Sequence, residues 1–190
     1  MRDGIERTSG FTLVELTVVI VILVALTALS IPAITRWLPN YNLKRASMDI
    51  YSSILLAKSE AIRKNRPYAV FFDPGSETYQ FIDSGPDGIY EYPDVAADDI
   101  LGETISIAKY GPGIAYGHTP ATKNFDNGDA TFPGDEVSYT GPDNVVLFDG
   151  RGMCNSGSVY LQNNNSRTFA IGTLRSGIVR IKMWQGSNWK

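Results

Sequence analysis

The apolar residues follow three different patterns along the chain. From Leu16 to Ile34 the sequence reads LTVVIVILVALTALSIPAI, 19 residues without a charge. A helix of that length is about 28 Å long, close to the hydrocarbon thickness of a bilayer, so the run predicts a membrane-spanning helix. Beyond Pro39 the apolar positions become periodic. Leu43, Ile50, Ile54, Ala57 and Ala61 recur at helical spacing, while Lys44, Arg45, Asp49, Lys58, Arg63 and Lys64 fall off that stripe and should face outward. Pro67 disfavours helical geometry at Arg66, so the helix is expected to end near Asn65.

From Pro67 the period shortens to that of strands. PYAVFFD and TYQFID flank Pro74-Gly75-Ser76-Glu77 and predict a hairpin. Further strands are expected at Glu103–Tyr110, Val145–Phe148, Ser158–Gln162, Thr168–Thr173 and Ile178–Trp184, with loops at 121–134 and 139–144. The fold class is therefore α+β: a long N-terminal helix, its first half transmembrane, with its second half packed on an antiparallel β-sheet head.

Two details ahead of the apolar run change the picture. The ten-residue polar leader MRDGIERTSG ends in glycine, and an acidic residue, Glu15, stands at the start of the run. A carboxylate at membrane depth costs on the order of 3 kcal/mol on insertion scales, so it needs a partner or a purpose. Arg2 and Arg7 on one side are balanced by Arg36, Lys44 and Arg45 on the other, so the positive-inside rule leaves orientation open. A secretory signal would be expected to end in a small-residue cleavage site after its apolar core, whereas here the core continues into an amphipathic helix.

Gly10-Phe11-Thr12-Leu13-Val14-Glu15, followed by the apolar run, resembles the class III signal of type IV pilins and type II secretion pseudopilins. The resemblance implies cleavage after Gly10 by a prepilin peptidase, N-methylation of Phe11, and a role for Glu15 in filament assembly. A second resemblance covers most of the remaining chain. Leu56-Ala57-Lys58-Ser59-Glu60-Ala61-Ile62-Arg63-Lys64-Asn65, then Phe148-Asp149-Gly150-Arg151-Gly152, Gly157-Ser158-Val159-Tyr160-Leu161 and Gly177-Ile178-Val179-Arg180, are similar to the GspH/FimT family of minor pilins and pseudopilins. The stretch 84–140 is unmatched, and Ile178 stands where that family often has the first arginine of Gly-Arg-x-Arg.

Composition narrows the chemistry. One cysteine and one histidine exclude an intrachain disulfide framework and a Cys/His zinc cluster, and they supply no nucleophile–base pair. His118 is expected on a surface loop, and no enzymatic activity is expected. A net charge of −3 argues against a general affinity for nucleic acid. Two local clusters remain. Asp83, Asp87, Glu91, Asp94, Asp98 and Asp99 lie in a glycine-bearing stretch whose hard oxygens suit calcium, although the same residues also read as solvated turns. Arg180 and Lys182, with Trp184 and Trp189 nearby, are the candidate contacts to DNA; the bland alternative has both on the outer face of a strand whose Val179, Ile181 and Met183 pack inward.

The resulting division is a cleaved leader (1–10), a transmembrane and assembly half-helix (11–35), an amphipathic half-helix (36–65) and a periplasmic head (66–190). The resemblance implies a pilin-like lollipop, a minor pseudopilin of a type II secretion system anchored in the bacterial inner membrane. Its implied partners are other pilin-like subunits, the prepilin peptidase and an inner-membrane assembly platform. The alternatives are a FimT-like type IV minor pilin for pilus assembly or DNA uptake, and a calcium-dependent, membrane-anchored binding module.

Overall fold

The computed structural model describes residues 10–91, 99–139 and 144–190, and divides into two compact units, Met1–Leu38 and Pro39–Lys190. A single helix, α1 (Leu13–Lys64), runs through both. The division falls at Pro39, whose missing N–H removes one helical hydrogen bond.

In the first unit every large apolar side chain from Phe11 to Leu26 is exposed, from 46% at Val19 to 84% at Phe11. Among the described residues no helix is long and apolar enough to cross a membrane. The side chains of residues 29–34, the last part of the apolar run, lie outside the described ones.

In the second unit α1 ends as Pro67 dictates. Asn65 takes a left-handed conformation (φ 51°), and Arg66 N–H donates back to the Ala61 carbonyl at 3.2 Å, the longer bond of a Schellman turn. Among the described residues eight strands follow: β1 (Tyr68–Asp73), β2 (Thr78–Asp83), β3 (Ile100–Ser106), β4 (Ile114–Tyr116), β5 (Val145–Phe148), β6 (Gly157–Asn163), β7 (Arg167–Thr173) and β8 (Val179–Met183). They form the expected antiparallel head as two four-stranded sheets, ordered β3-β2-β1-β5 and β4-β6-β7-β8.

Both sheets share a core with α1. Leu43, Ala46, Ile50, Ile54, Ala57 and Ala61 are fully buried and cluster with Tyr68, Val70 and Phe72 of β1, Val146 and Phe148 of β5, Val159 and Leu161 of β6, and Ile171 of β7. The period-two alternation of β1 sends Ala69 to a second cluster with Ile82 and Val145. On the other sheet, Tyr160 and Ala170 point away from the helix and are covered by Phe125, Phe132 and Trp189. His118, expected on the surface, is half-buried in the covering loop: its ring stacks on Phe132 (3.8 Å between centroids) and Nδ1 lies 2.7 Å from Glu136 Oε2.

The strand expected over Glu103–Tyr110 is divided. It ends at Ser106, whose hydroxyl accepts from Ala108 N–H, and residues Ile107–Tyr110 form a 3₁₀ turn. Lys58, expected to face outward, is half-buried and donates to the Gly177 carbonyl at 2.8 Å.

Candidate functional site

The beginning of α1 is built reciprocally. Thr12 is the N-cap: its carbonyl accepts from Leu16 N–H (3.2 Å) and its hydroxyl oxygen from Glu15 N–H (3.2 Å). Glu15 reaches back, and its Oε2 accepts from Thr12 N–H (3.0 Å) and from the Thr12 hydroxyl (2.9 Å). This is a capping box, which satisfies backbone donors that a helix start leaves orphaned and sets a negative charge at the positive end of the helix dipole. Gly10 and Phe11 precede the cap outside the helix; a Cβ added at Gly10 would meet nothing within 4 Å. The Gly10–Phe11 peptide bond lies just ahead of the helix start. Breaking it would leave an amine on Phe11, one residue before the N–H that Glu15 already accepts from. Thr12 was absent from the sequence-based site; its signal is the T-x-x-E spacing of residues 12–15.

At the other end of α1, the glycines of the quoted head motifs are packing requirements. A Cβ on Gly152 (φ +78°) would lie 2.7 Å from Ile62 Cδ1, and one on Gly150 would lie 2.9 Å from the Asn65 carbonyl carbon. One on Gly177 (φ +77°) would lie 1.9 Å from the Gly152 carbonyl oxygen. Helix end, turn and β7–β8 hairpin therefore approach backbone to backbone, as only glycine permits. Between the sheets, Asn155 occupies the free edge of β5. Its side chain accepts from Leu147 N–H (2.9 Å) and donates to the Val145 carbonyl (2.7 Å), while its carbonyl accepts from the Thr173 hydroxyl (2.8 Å).

Four of the six acidic residues, Asp83, Asp87, Glu91 and Asp99, fall among the described residues. Asp83 is buried (6% exposed) and engaged with its own chain: Oδ2 lies 2.5 Å from both Arg66 Nη2 and Tyr68 Oη, and 3.4 Å from Lys64 Nζ. Burial pushes the Asp83 carboxyl up, but hydrogen bonds from Tyr68 and Arg66 and the charges of Arg66 and Lys64 outweigh it, leaving it below the usual carboxylate value. Asp87 Oδ1 accepts from Ile89 N–H in a turn, and Asp99 Oδ2 from Glu91 N–H. Asp94 and Asp98 lie outside the described residues. Among the described residues no group of three or more His, Cys, Asp or Glu is arranged to hold a metal ion.

Arg180 and Lys182 lie on β8, at the edge of its sheet, opposite Gly172 and Ala170. Val179 and Ile181, which alternate with them, pack against the core. The Arg180 guanidinium sits 4.8 Å over the Phe125 ring. Trp184 is buried edge-on against Trp189, whose Nε1 donates to the Lys123 carbonyl (2.7 Å). The aromatic rings near the two cations therefore anchor the C-terminal segment rather than forming an open stacking surface.

Compared with known families, residues 46–177 match the profile described as "Type II transport protein GspH", well over half of the chain. Among solved structures, the chain is similar to the minor pseudopilin EpsH from the type 2 secretion system of Vibrio cholerae, at 13% identity over 74% of this chain and 95% of that one, with a TM-score of 0.44. It is likewise similar to the type IV minor pilin FimU of Pseudomonas aeruginosa, at 11% identity over 80% and 94%, with a TM-score of 0.48. No curated protein matches the chain in sequence.

Proposed function

The chain belongs to the GspH family, and on that premise we propose that it is a minor pseudopilin of a type II secretion system, a structural subunit of a periplasmic pseudopilus. The observation that carries this reading is the bare helix ahead of the family-matched head. A helix that is apolar on every side has to be covered by lipid or by other helices. A subunit held in the inner membrane and then passed into a filament exchanges the first cover for the second.

In this reading the prepilin peptidase cuts after Gly10, Phe11 becomes the N-methylated terminus, and the subunit remains single-pass with its head in the periplasm. Glu15 has two successive uses. Before assembly, the capping box keeps its charge satisfied within its own chain. During assembly it pairs with the amino-terminal cation of a neighbouring subunit and sets the register of the incoming helix. Losing one partner of a buried ion pair typically costs about 3–5 kcal/mol, or two orders of magnitude and more in incorporation. Glu15→Val is therefore expected to insert and to be processed, yet to lose co-purification with the other pilin-like subunits, with Glu15→Asp intermediate. Undiminished co-purification of Glu15→Val would refute the role given to Glu15.

A further inference from the structure

β8 carries a cation that is held in place without an anion. Arg180 stands in register with Gly172 of β7. A Cβ on Gly172 would lie 2.7 Å from Phe125 Cε1, so the missing side chain is what lets the Phe125 ring settle on the sheet. The Phe125 N–H donates to the Tyr160 hydroxyl at 2.9 Å, and the Arg180 guanidinium lies over the ring that this bond steadies. Arg180 is half-buried, and its Nε is buried with no hydrogen-bond partner. Among the described residues no carboxylate stands within ion-pair distance of it. A desolvated guanidinium donor normally has an acceptor, and this one needs an acceptor from outside the chain.

A cavity of about 290 Å³ lies beside this cation, and Asp126, Ser138, Ser156 and Thr173 line it together with Arg180. Asp126 Oδ2 accepts from the hydroxyls of Ser138 (2.5 Å) and Ser158 (2.8 Å), which fixes the carboxylate and leaves Oδ1 as an unused acceptor. Thr173 donates to the Asn155 carbonyl, whereas the Ser156 hydroxyl has no partner among the described residues. The unused groups define a ligand. The Nε edge of a guanidinium matches the two oxygens of a planar carboxylate. Asp126 is already satisfied by two O–H donors, so it calls for a further hydroxyl rather than a counter-cation, and its charge disfavours a doubly charged phosphate. Ser156 adds a second place for a hydroxyl. The volume stands at the lower end for organic-ligand pockets and suits a single sugar ring.

We propose that this cavity binds an acidic monosaccharide of the hexuronate class, its carboxylate on the Nε edge of Arg180 and its ring hydroxyls on Asp126 and Ser156. An uncharged sugar would leave Arg180 unpaired, and a bare carboxylate would leave Asp126 and Ser156 unused, so the site discriminates against both. The site belongs to the head alone and is independent of the pseudopilin reading.

The test is a saturation-transfer NMR titration of the full-length chain in mild detergent with D-glucuronate and D-galacturonate, against D-glucose, acetate and inorganic phosphate. At least one uronate is expected to bind with a Kd on the order of 1 mM, the range of a sugar-sized ligand of modest efficiency. Glucose, acetate and phosphate should each bind about tenfold more weakly or worse. Arg180→Gln should weaken uronate binding about tenfold or more, the loss of a charged hydrogen-bond partner, and Ser156→Ala about threefold. Ser156→Ala should melt as the unmodified chain does, because its hydroxyl bonds to nothing in the chain, so its lost affinity reads the site and not the fold. Should Arg180→Gln fail to fold, Ser156→Ala decides alone. Binding of neither uronate, glucose, acetate or phosphate binding as tightly as the uronate, or undiminished uronate binding by either folded variant would overturn the assignment.

Discussion

Ile22 and Ile54 are the same residue in the same helix, and the chain treats them in opposite ways. Ile22 is 52% exposed in a stretch that is apolar on every side, whereas Ile54 is fully buried in a core shared with two sheets. The difference separates two uses of apolar surface. Around Ile54, burial within the chain is what folds the head. Around Ile22, nothing among the described residues of its own unit covers the surface, so burial within that unit supplies no comparable stabilisation there.

The largest expected contrast follows from that pair. In urea unfolding of the full chain in mild detergent, Ile54→Ala is expected to cost about 2–5 kcal/mol, the lost transfer energy plus a cavity. Ile22→Ala should stay within about 0.5 kcal/mol, as an exposed substitution away from a packed site does. Equal costs would mean that residues around Ile22 pack against the chain itself, and the distinction between the two regions would fail.

A smaller effect sharpens the account of the head. Asp83 fastens the last turn of α1 to the end of β2 through Arg66, Lys64 and Tyr68, and Asp83→Asn is expected to cost about 1–3 kcal/mol at neutral pH. Its native carboxyl lies below the unfolded value of about 3.9, so the unfolded chain binds the proton more readily. The contribution is complete above that value and disappears as pH falls through the native one. Comparing urea midpoints of the two proteins from pH 6 downward should show the difference narrowing in acid. A constant difference would assign the loss to packing rather than charge.

Much of the head could be read directly from its residues. The stripe from Leu43 to Ala61 identified the buried face of α1, and the hairpin of β1 and β2 followed from alternation around Pro74-Gly75. β4 escaped because three residues, Ile114–Tyr116, are too few to display a period. Asp83 was placed in an acidic cluster because its partners lie 17 and 19 residues away in sequence. They meet it only once the turn at Asn65 reverses the chain and the β1–β2 register sets Tyr68 opposite Asp83. Around Glu15 the motif was plain, yet the part played by Thr12 became visible only with the helix start in place, since a capping box is defined by where the first turn begins.

The central claim is that the exposed helix is delivered to a filament after the leader is removed, and the direct measurement is the N-terminus of the chain extracted from membranes of a host with an active prepilin peptidase. Intact mass and terminal sequencing should find N-methylated Phe11 as the first residue, and Gly10→Val should retain the leader. A wild-type chain still beginning at Met1 under those conditions would contradict the account.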